Sequence, residues 1–253
     1  MERSINIVIT EENFDSGFRG EYKGYHIDKR LITTPNIISP ICIKMNNYHS
    51  VPIINPLVLG LEIYDAIIYL NEKIELSYQI HKECLKTKLI SNLYYVNIEK
   101  ENIIHIIKRI IDDLIILLCI HYNYEETLTT QQVKIASIGD LKNIHNSELL
   151  KKIQTELNYD KYKIIFNVIN DLHNSYKHSC LLQQSRSLVG ADCVALQTYY
   201  SKKGNFENIK YLNHNLMHII IAISDFLLEF FCNIKNNRNY KIITTKRNGT
   251  ISY

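Results

Sequence analysis

From residue 100 to 122, isoleucine and leucine recur on two helical stripes at once. Ile103, Ile107, Ile110, Leu114 and Leu117 make one stripe, and Ile104, Ile111, Ile115 and Leu118 make the other. At about 100° per residue the two stripes lie on different sides of one helix. A helix apolar on two faces needs protein against both, which predicts the central helix of a helical bundle. Lys108, Arg109, Asp112 and Asp113 interrupt the same stretch. A charge near a bilayer centre costs roughly 2.5–3.5 kcal/mol, so the segment reads as a core helix and not a membrane span. The second greasy window, 216–232, carries His218, Asp225 and Glu229 and reads the same way.

The opening MERSINIVITEENFDSG has no basic start followed by an apolar block. The expectation is therefore a soluble, cytoplasmic chain with no membrane partner. At 253 residues and 46% hydrophobic, it can bury a core without disulfides or metals. The cysteines at 42, 84, 119, 180, 193 and 232 form no CxxC pair and read as reduced, mostly buried thiols. A net charge of +3 permits nucleic-acid binding without arguing for it. Asn, Lys and Ile are abundant throughout, as an AT-rich coding sequence would produce, so a local Asn or Lys cluster carries less weight here.

Residues 1–55 differ from the rest. The prolines at 35, 40 and 52 lie here, with the fourth, Pro56, at the boundary, and Gly17, Gly20 and Gly24 crowd one stretch. Short β-branched runs, Ile5–Thr10 and Ile41–Met45, sit between them, which predicts an irregular arm with a few short strands. From Pro56, a first-turn proline, Leu57, Leu61, Tyr64, Ile68 and Ile74 suggest a helix continuing toward residue 95. Residues 123–145 read as a connection with one short helix, and 147–156 as another short helix. A long helix covers about 158–182. Residues 183–212 read as a β-excursion with a strand over Cys193–Tyr200, and the last long helix runs from about 213 to 233. The basic tail, 236–253, adds a strand at 240–245. The predicted fold is mainly α: an antiparallel helical bundle of four main helices over 56–235, with an irregular, β-like N-terminal arm and a small β-excursion before the last helix.

The helix over 160–181 has the most unusual pattern. Ile165, Val168, Ile169, Leu172, Tyr176 and Cys180 fall on one side. Asn167, Asn170, Asp171, Asn174, Lys177 and His178 fall on the other, where an ordinary solvent face carries Glu–Lys pairs one turn apart. His178 titrates near neutrality and can give or take a proton. Asn174 lies one turn earlier, and Lys177 and His173 border the same surface as sources of positive charge. Such groups are the minimum for metal-free RNA cleavage: an acid or base near the 2′-hydroxyl and a cation against the charged phosphorus centre.

The string His173-Asn174-Ser175-Tyr176-Lys177-His178, late in an amphipathic helix that precedes a β-excursion and another long helix, resembles the HEPN superfamily. Those proteins are four-helix-bundle domains common in toxin–antitoxin, abortive-infection and CRISPR-linked systems. Their hallmark is an Arg, often followed by Asn or another polar residue, and then a His four to six residues beyond the Arg. Asn174 matches the polar position and His178 the His; His173 stands where the family has Arg. Arg is always charged and forks onto phosphate, whereas His is mostly neutral at pH 7. The resemblance spans about 57–233 in helix order and 165–181 in specific residues. It implies a metal-independent endoribonuclease that works as a homodimer, with no cofactor, acting on RNA in a prokaryotic toxin or defence system alongside an antitoxin or other protein partner. His178 would be the acid/base, Asn174 the orienting group, and His173 with Lys177 the charge stabilisers. With His in the Arg position, a non-catalytic module that binds RNA, a nucleotide or a protein partner stays open as the alternative.

Four other patterns stand out. Arg19 and His26 satisfy an Arg-to-His spacing, but among Gly17, Gly20 and Gly24 a helix is not expected. His214 and His218, one turn apart on the expected last helix, with Asp225 and Glu229 beyond, form a metal-ligand alternative and so a metal-binding bundle enzyme. Lys235, Arg238, Lys241, Lys246 and Arg247 make the tail basic, as a solubilising end or a phosphate contact. The Asn248-Gly249-Thr250 sequon is read as spelling only.

Overall fold

A computed structural model describes residues 7–9, 41–44, 55–87, 90–143, 147–178, 195–201, 209–236 and 241–244. These residues are mostly helical. In chain order the elements are β1 (Ile7–Ile9), β2 (Ile41–Lys44), α1 (Pro56–Thr87), α2 (Ile90–Tyr122), α3 (Tyr124–Thr130), α4 (Asp140–Asn143), α5 (Glu148–Glu156), α6 (Tyr159–His178), β3 (Ala195–Ser201), β4 (Ile209–Asn215), α7 (Leu216–Asn236) and β5 (Lys241–Thr244). Beyond β1 and β2, the expected N-terminal arm lies outside the described residues, as do Arg19, His26 and most of the basic tail.

Local chemistry explains the helix ends. Asn55 Oδ1 accepts the Leu57 N–H at 3.0 Å, and Pro56 follows at the first helical position, where a missing N–H costs nothing. Asn215 Oδ1 likewise accepts the Met217 N–H at 2.9 Å and starts α7. Ser147 caps α5 by accepting the Leu150 N–H at 3.1 Å. Asn158, with φ of 47°, takes the left-handed conformation that separates α5 from α6.

Two expectations about the long helices are corrected. On α1 the buried line is Ile63, Ile67, Leu70 and Ile74, each 0% exposed, whereas Leu61 is 47% exposed. Of the residues that periodicity marked on this helix, Ile74 is buried, Leu57, Tyr64 and Ile68 are half-buried, and Leu61 is exposed. The described stretch of α1 runs to Thr87, and α2 is already helical from Ile90 instead of from near 100. The stretch 90–100 contains no Gly or Pro to stop a helix, but its exposed Tyr95 and Ile98 blur the amphipathic pattern. Both stripes of α2 are buried as the sequence predicts: every one of their nine isoleucines and leucines is 0% exposed.

The chain divides into two compact units, and α1, α2, α6 and α7 each contribute residues to both. The first comprises Met1–Ile37, Glu72–His105 and Val168–Ala222. Its sheet has the order β1-β4-β3, with β1 parallel to β4 and β3 antiparallel to it. Ile74, Ile103, Ile104, Ile169, Leu172, Leu196 and Ile219 are buried there. The second unit comprises Ile38–Asn71, Ile106–Asn167 and Ile223–Tyr253 and includes the antiparallel pair β2–β5. Its core is aromatic where α6 meets α7: the Phe226 ring stands edge-on to Tyr162 at 5.3 Å and to Phe166 at 5.0 Å. Among the described residues, one stretch, Leu216–Ile234 of α7, is long and apolar enough to cross a membrane by length and composition alone. Some 61% of it is buried inside the protein, as in a core helix.

Candidate functional site

In the first unit, the C-terminal part of α6 is tied to its neighbours by two polar contacts. His173 Nδ1 lies 2.9 Å from Nδ1 of His105, on α2. The two rings meet edge to face with centroids 4.7 Å apart. Two residues further on, the Ser175 hydroxyl hydrogen-bonds the Thr198 hydroxyl of β3 at 2.6 Å, with both residues buried. The motif helix is thereby held on one side by α2 and on the other by β3.

Around the imidazole pair stand two more titratable groups. Glu101 precedes His105 by one helical turn, and the Tyr176 ring stands edge-on to His105 at 6.4 Å. Burial pushes the Glu101 carboxyl above its usual range. Burial, reinforced by the Glu101 carboxylate, pushes the Tyr176 hydroxyl well above its ordinary value. Burial also lowers the proton affinity of His105. Taking an imidazole partly out of water disfavours its cationic form. An Nδ1-to-Nδ1 hydrogen bond contains one hydrogen, so both rings cannot be imidazolium at once.

The polar face of α6 is not a plain solvent face. Asn167, Asn170, Asp171, His173 and Asn174 are all half-buried, and Lys177 is exposed. Asn174 and Lys177 therefore sit where a ligand could meet them. His178 is the last residue of α6, one turn after Asn174, and its side chain lies outside the described residues. The structure thus brings together His173, Asn174 and Lys177 on one helix and adds His105, Glu101 and Tyr176. Sequence reasoning missed His105. The available signal was a lone imidazole in the run Ile103-Ile104-His105-Ile106-Ile107, amid side chains that must be buried.

The expected helical placement of His214 is corrected. His214 is not helical: it is the penultimate residue of β4 and pairs with Leu196 of β3. The Asn215 cap starts α7 only at Leu216, so His214 and His218 lose the one-turn helical relation that the metal-ligand alternative required. His214 is 3% exposed, and burial drives its pKa down to about 4. Asp225 is exposed, and Glu229 accepts hydrogen bonds from Asn158 Nδ2 at 2.7 Å, from the Lys161 ammonium and from the Tyr162 hydroxyl. Among the described residues, no three His, Cys, Asp or Glu side chains gather so as to hold a metal ion. Of the described cysteines, Cys84 and Cys119 are buried thiols and Cys232 is exposed.

No family model matches the chain, and neither a curated protein nor a solved structure does so.

Proposed function

We propose that this chain is a HEPN-like antiparallel bundle whose four main helices are α1, α2, α6 and α7. On this reading, residues 1–55 form an arm, 236–253 form a tail, and the chain acts as a metal-independent endoribonuclease of a prokaryotic defence or toxin system. The observation that supports it is the half-buried polar face of α6, which joins amide and ammonium groups to an inter-helix imidazole pair. In the proposed reaction, one acid/base group takes the proton from an RNA 2′-hydroxyl. The 2′-oxygen bonds to the adjacent phosphorus, the bond to the 5′-oxygen breaks, and a proton passes to that oxygen. The products are a cyclic phosphate and a 5′-hydroxyl. His178 serves as acid/base, Asn174 orients it, and Lys177 with His173 faces the charge on phosphorus. The working species is a cytoplasmic homodimer with two facing motifs, kept in check by a protein partner.

One observation favours a second reading. His173, in the family's Arg position, is engaged by His105, so that position holds no fixed cation. A domain that binds RNA, a nucleotide or a protein partner without cutting would tolerate this. Purified protein and single-stranded RNA separate the two readings. Cleavage that survives a chelator and falls by at least about 100-fold in His178→Ala supports the nuclease. RNA bound but left intact by the wild type overturns it in favour of the binding module. A measured mass at the monomer under active conditions would remove the homodimer.

A further inference from the structure

We propose that the outward face of α1 between Val58 and Tyr69 docks a basic amphipathic helix of a protein partner. The surface lies in the second unit, and it does not depend on any action on RNA.

Val58, Leu61, Glu62, Asp65 and Tyr69 follow helical spacing and fall within about 100° of arc on one helix. That arc stands opposite the buried line of Ile63, Ile67 and Leu70, each 0% exposed. Three of the five residues are large and apolar, and all three meet solvent. Val58 is 42% exposed, Leu61 47% and Tyr69 48%. An outward helix face ordinarily carries charged pairs one turn apart, such as Glu with Lys. A line of apolar side chains at this spacing, along roughly 17 Å of helix, is a ridge against which a second helix packs.

Charge decides which helix that is. Glu62 and Asp65 complete the face, and both are exposed. From Pro56 to Asn71 the chain holds no Lys, Arg or His to balance them. Arg109 of α2 lies 3.4 Å from Glu62, but the same guanidinium is shared with the Asp113 carboxylate, also at 3.4 Å. One cation among three carboxylates leaves the face acidic at neutral pH. Such a surface repels RNA phosphates and anionic lipid headgroups. A second copy docked through the same face would set carboxylates against carboxylates. A helix with Lys or Arg flanking an apolar stripe satisfies the face fully, with apolar anchors at the centre and opposite charge at the rim.

The test is nuclear magnetic resonance of the full-length ¹⁵N-labelled protein, titrated with a synthetic helical peptide of leucine and lysine alone. Its leucines are spaced i, i+3, i+4 and i+7, so that they form one stripe. The expected result is saturable one-to-one binding, with amide shifts concentrated between Val58 and Tyr69. Leu61→Asp should weaken the affinity by about tenfold, as for loss of a central apolar anchor. The double variant Glu62→Gln, Asp65→Asn should weaken it less and reduce its dependence on salt. All three positions are exposed, so the variants keep the fold, which their unbound spectra verify. Shifts centred elsewhere overturn the proposal, as does an affinity unchanged in Leu61→Asp. Equal binding of a peptide with glutamate in place of lysine overturns it too. Self-association, or binding to anionic vesicles, that Leu61→Asp abolishes would assign the face to another occupant and overturn it likewise.

Discussion

The two ends of α6 treat buried polarity in opposite ways. Near its start, in the second unit, the Glu229 carboxylate receives hydrogen bonds from Asn158, Lys161 and Tyr162. Charge and hydrogen-bonding capacity are complementary there, and the Lys161 ammonium and the two neutral donors hold Glu229 below its usual pKa range. Near its end, in the first unit, His173 meets a second imidazole, a partner of its own kind. Nothing in that pair neutralises anything, and its protonation states exclude one another. The first arrangement is what a scaffold uses to fix a helix. The second joins two groups of like kind, of which at most one can be an imidazolium while the hydrogen bond stands.

The contrast breaks most readily through the aromatic core beside Glu229. Phe226 is 0% exposed and edge-on to two rings. Phe226→Ala should lower the unfolding free energy by about 3–5 kcal/mol in a urea titration. A loss below about 1 kcal/mol would show that this region is not the close-packed scaffold described.

The next effect is in pH. His214 has a folded pKa near 4 against 6.5 when unfolded, because burial disfavours its cation. The unfolded chain binds the extra proton between those values. Stability is therefore full above about 6.5 and falls as the pH drops toward 4, by up to roughly 3 kcal/mol. His214→Gln should flatten the dependence of the urea midpoint on pH in that window; an unchanged slope would contradict the burial.

Asp113, in the second unit, works with the opposite sign. Burial raises its carboxyl to about 6, against the pull of Arg109. The folded state therefore holds the proton between about 4 and 6, and the Asp113 contribution to stability declines as pH rises through that range. Asp113→Asn should stabilise the protein by about 1–2 kcal/mol at neutral pH and by much less in acid, measured by the same titration. Equal effects at both pH values would show that the carboxyl is not held protonated.

Glu229→Gln should have the smallest effect, about 1 kcal/mol at neutral pH, because Lys161 is half exposed and solvent screens the pair. The Glu229 contribution is present above the unfolded carboxylate range and disappears as pH falls through its depressed folded value. A Gln variant whose deficit persists unchanged in strong acid would mean that the charge was not what mattered.

The chain's own pattern determined that the chain is mainly helical and which residues of α2 face inward, because a two-striped run of isoleucine and leucine needs protein against both faces. It also picked out α6 as the helix with an unusual polar face, and β5 within the tail. It left three matters to the folded chain. The start of α7 depended on a cap at Asn215, which moved His214 out of the helix and into β4. The inner face of α1 depended on which side of the helix found a core to enter. His105 was placed against His173 by the meeting of helices 68 residues apart in sequence, a relation that local periodicity does not encode. Secondary structure follows from near neighbours, whereas the identity of a partner across a core is set by how whole elements pack.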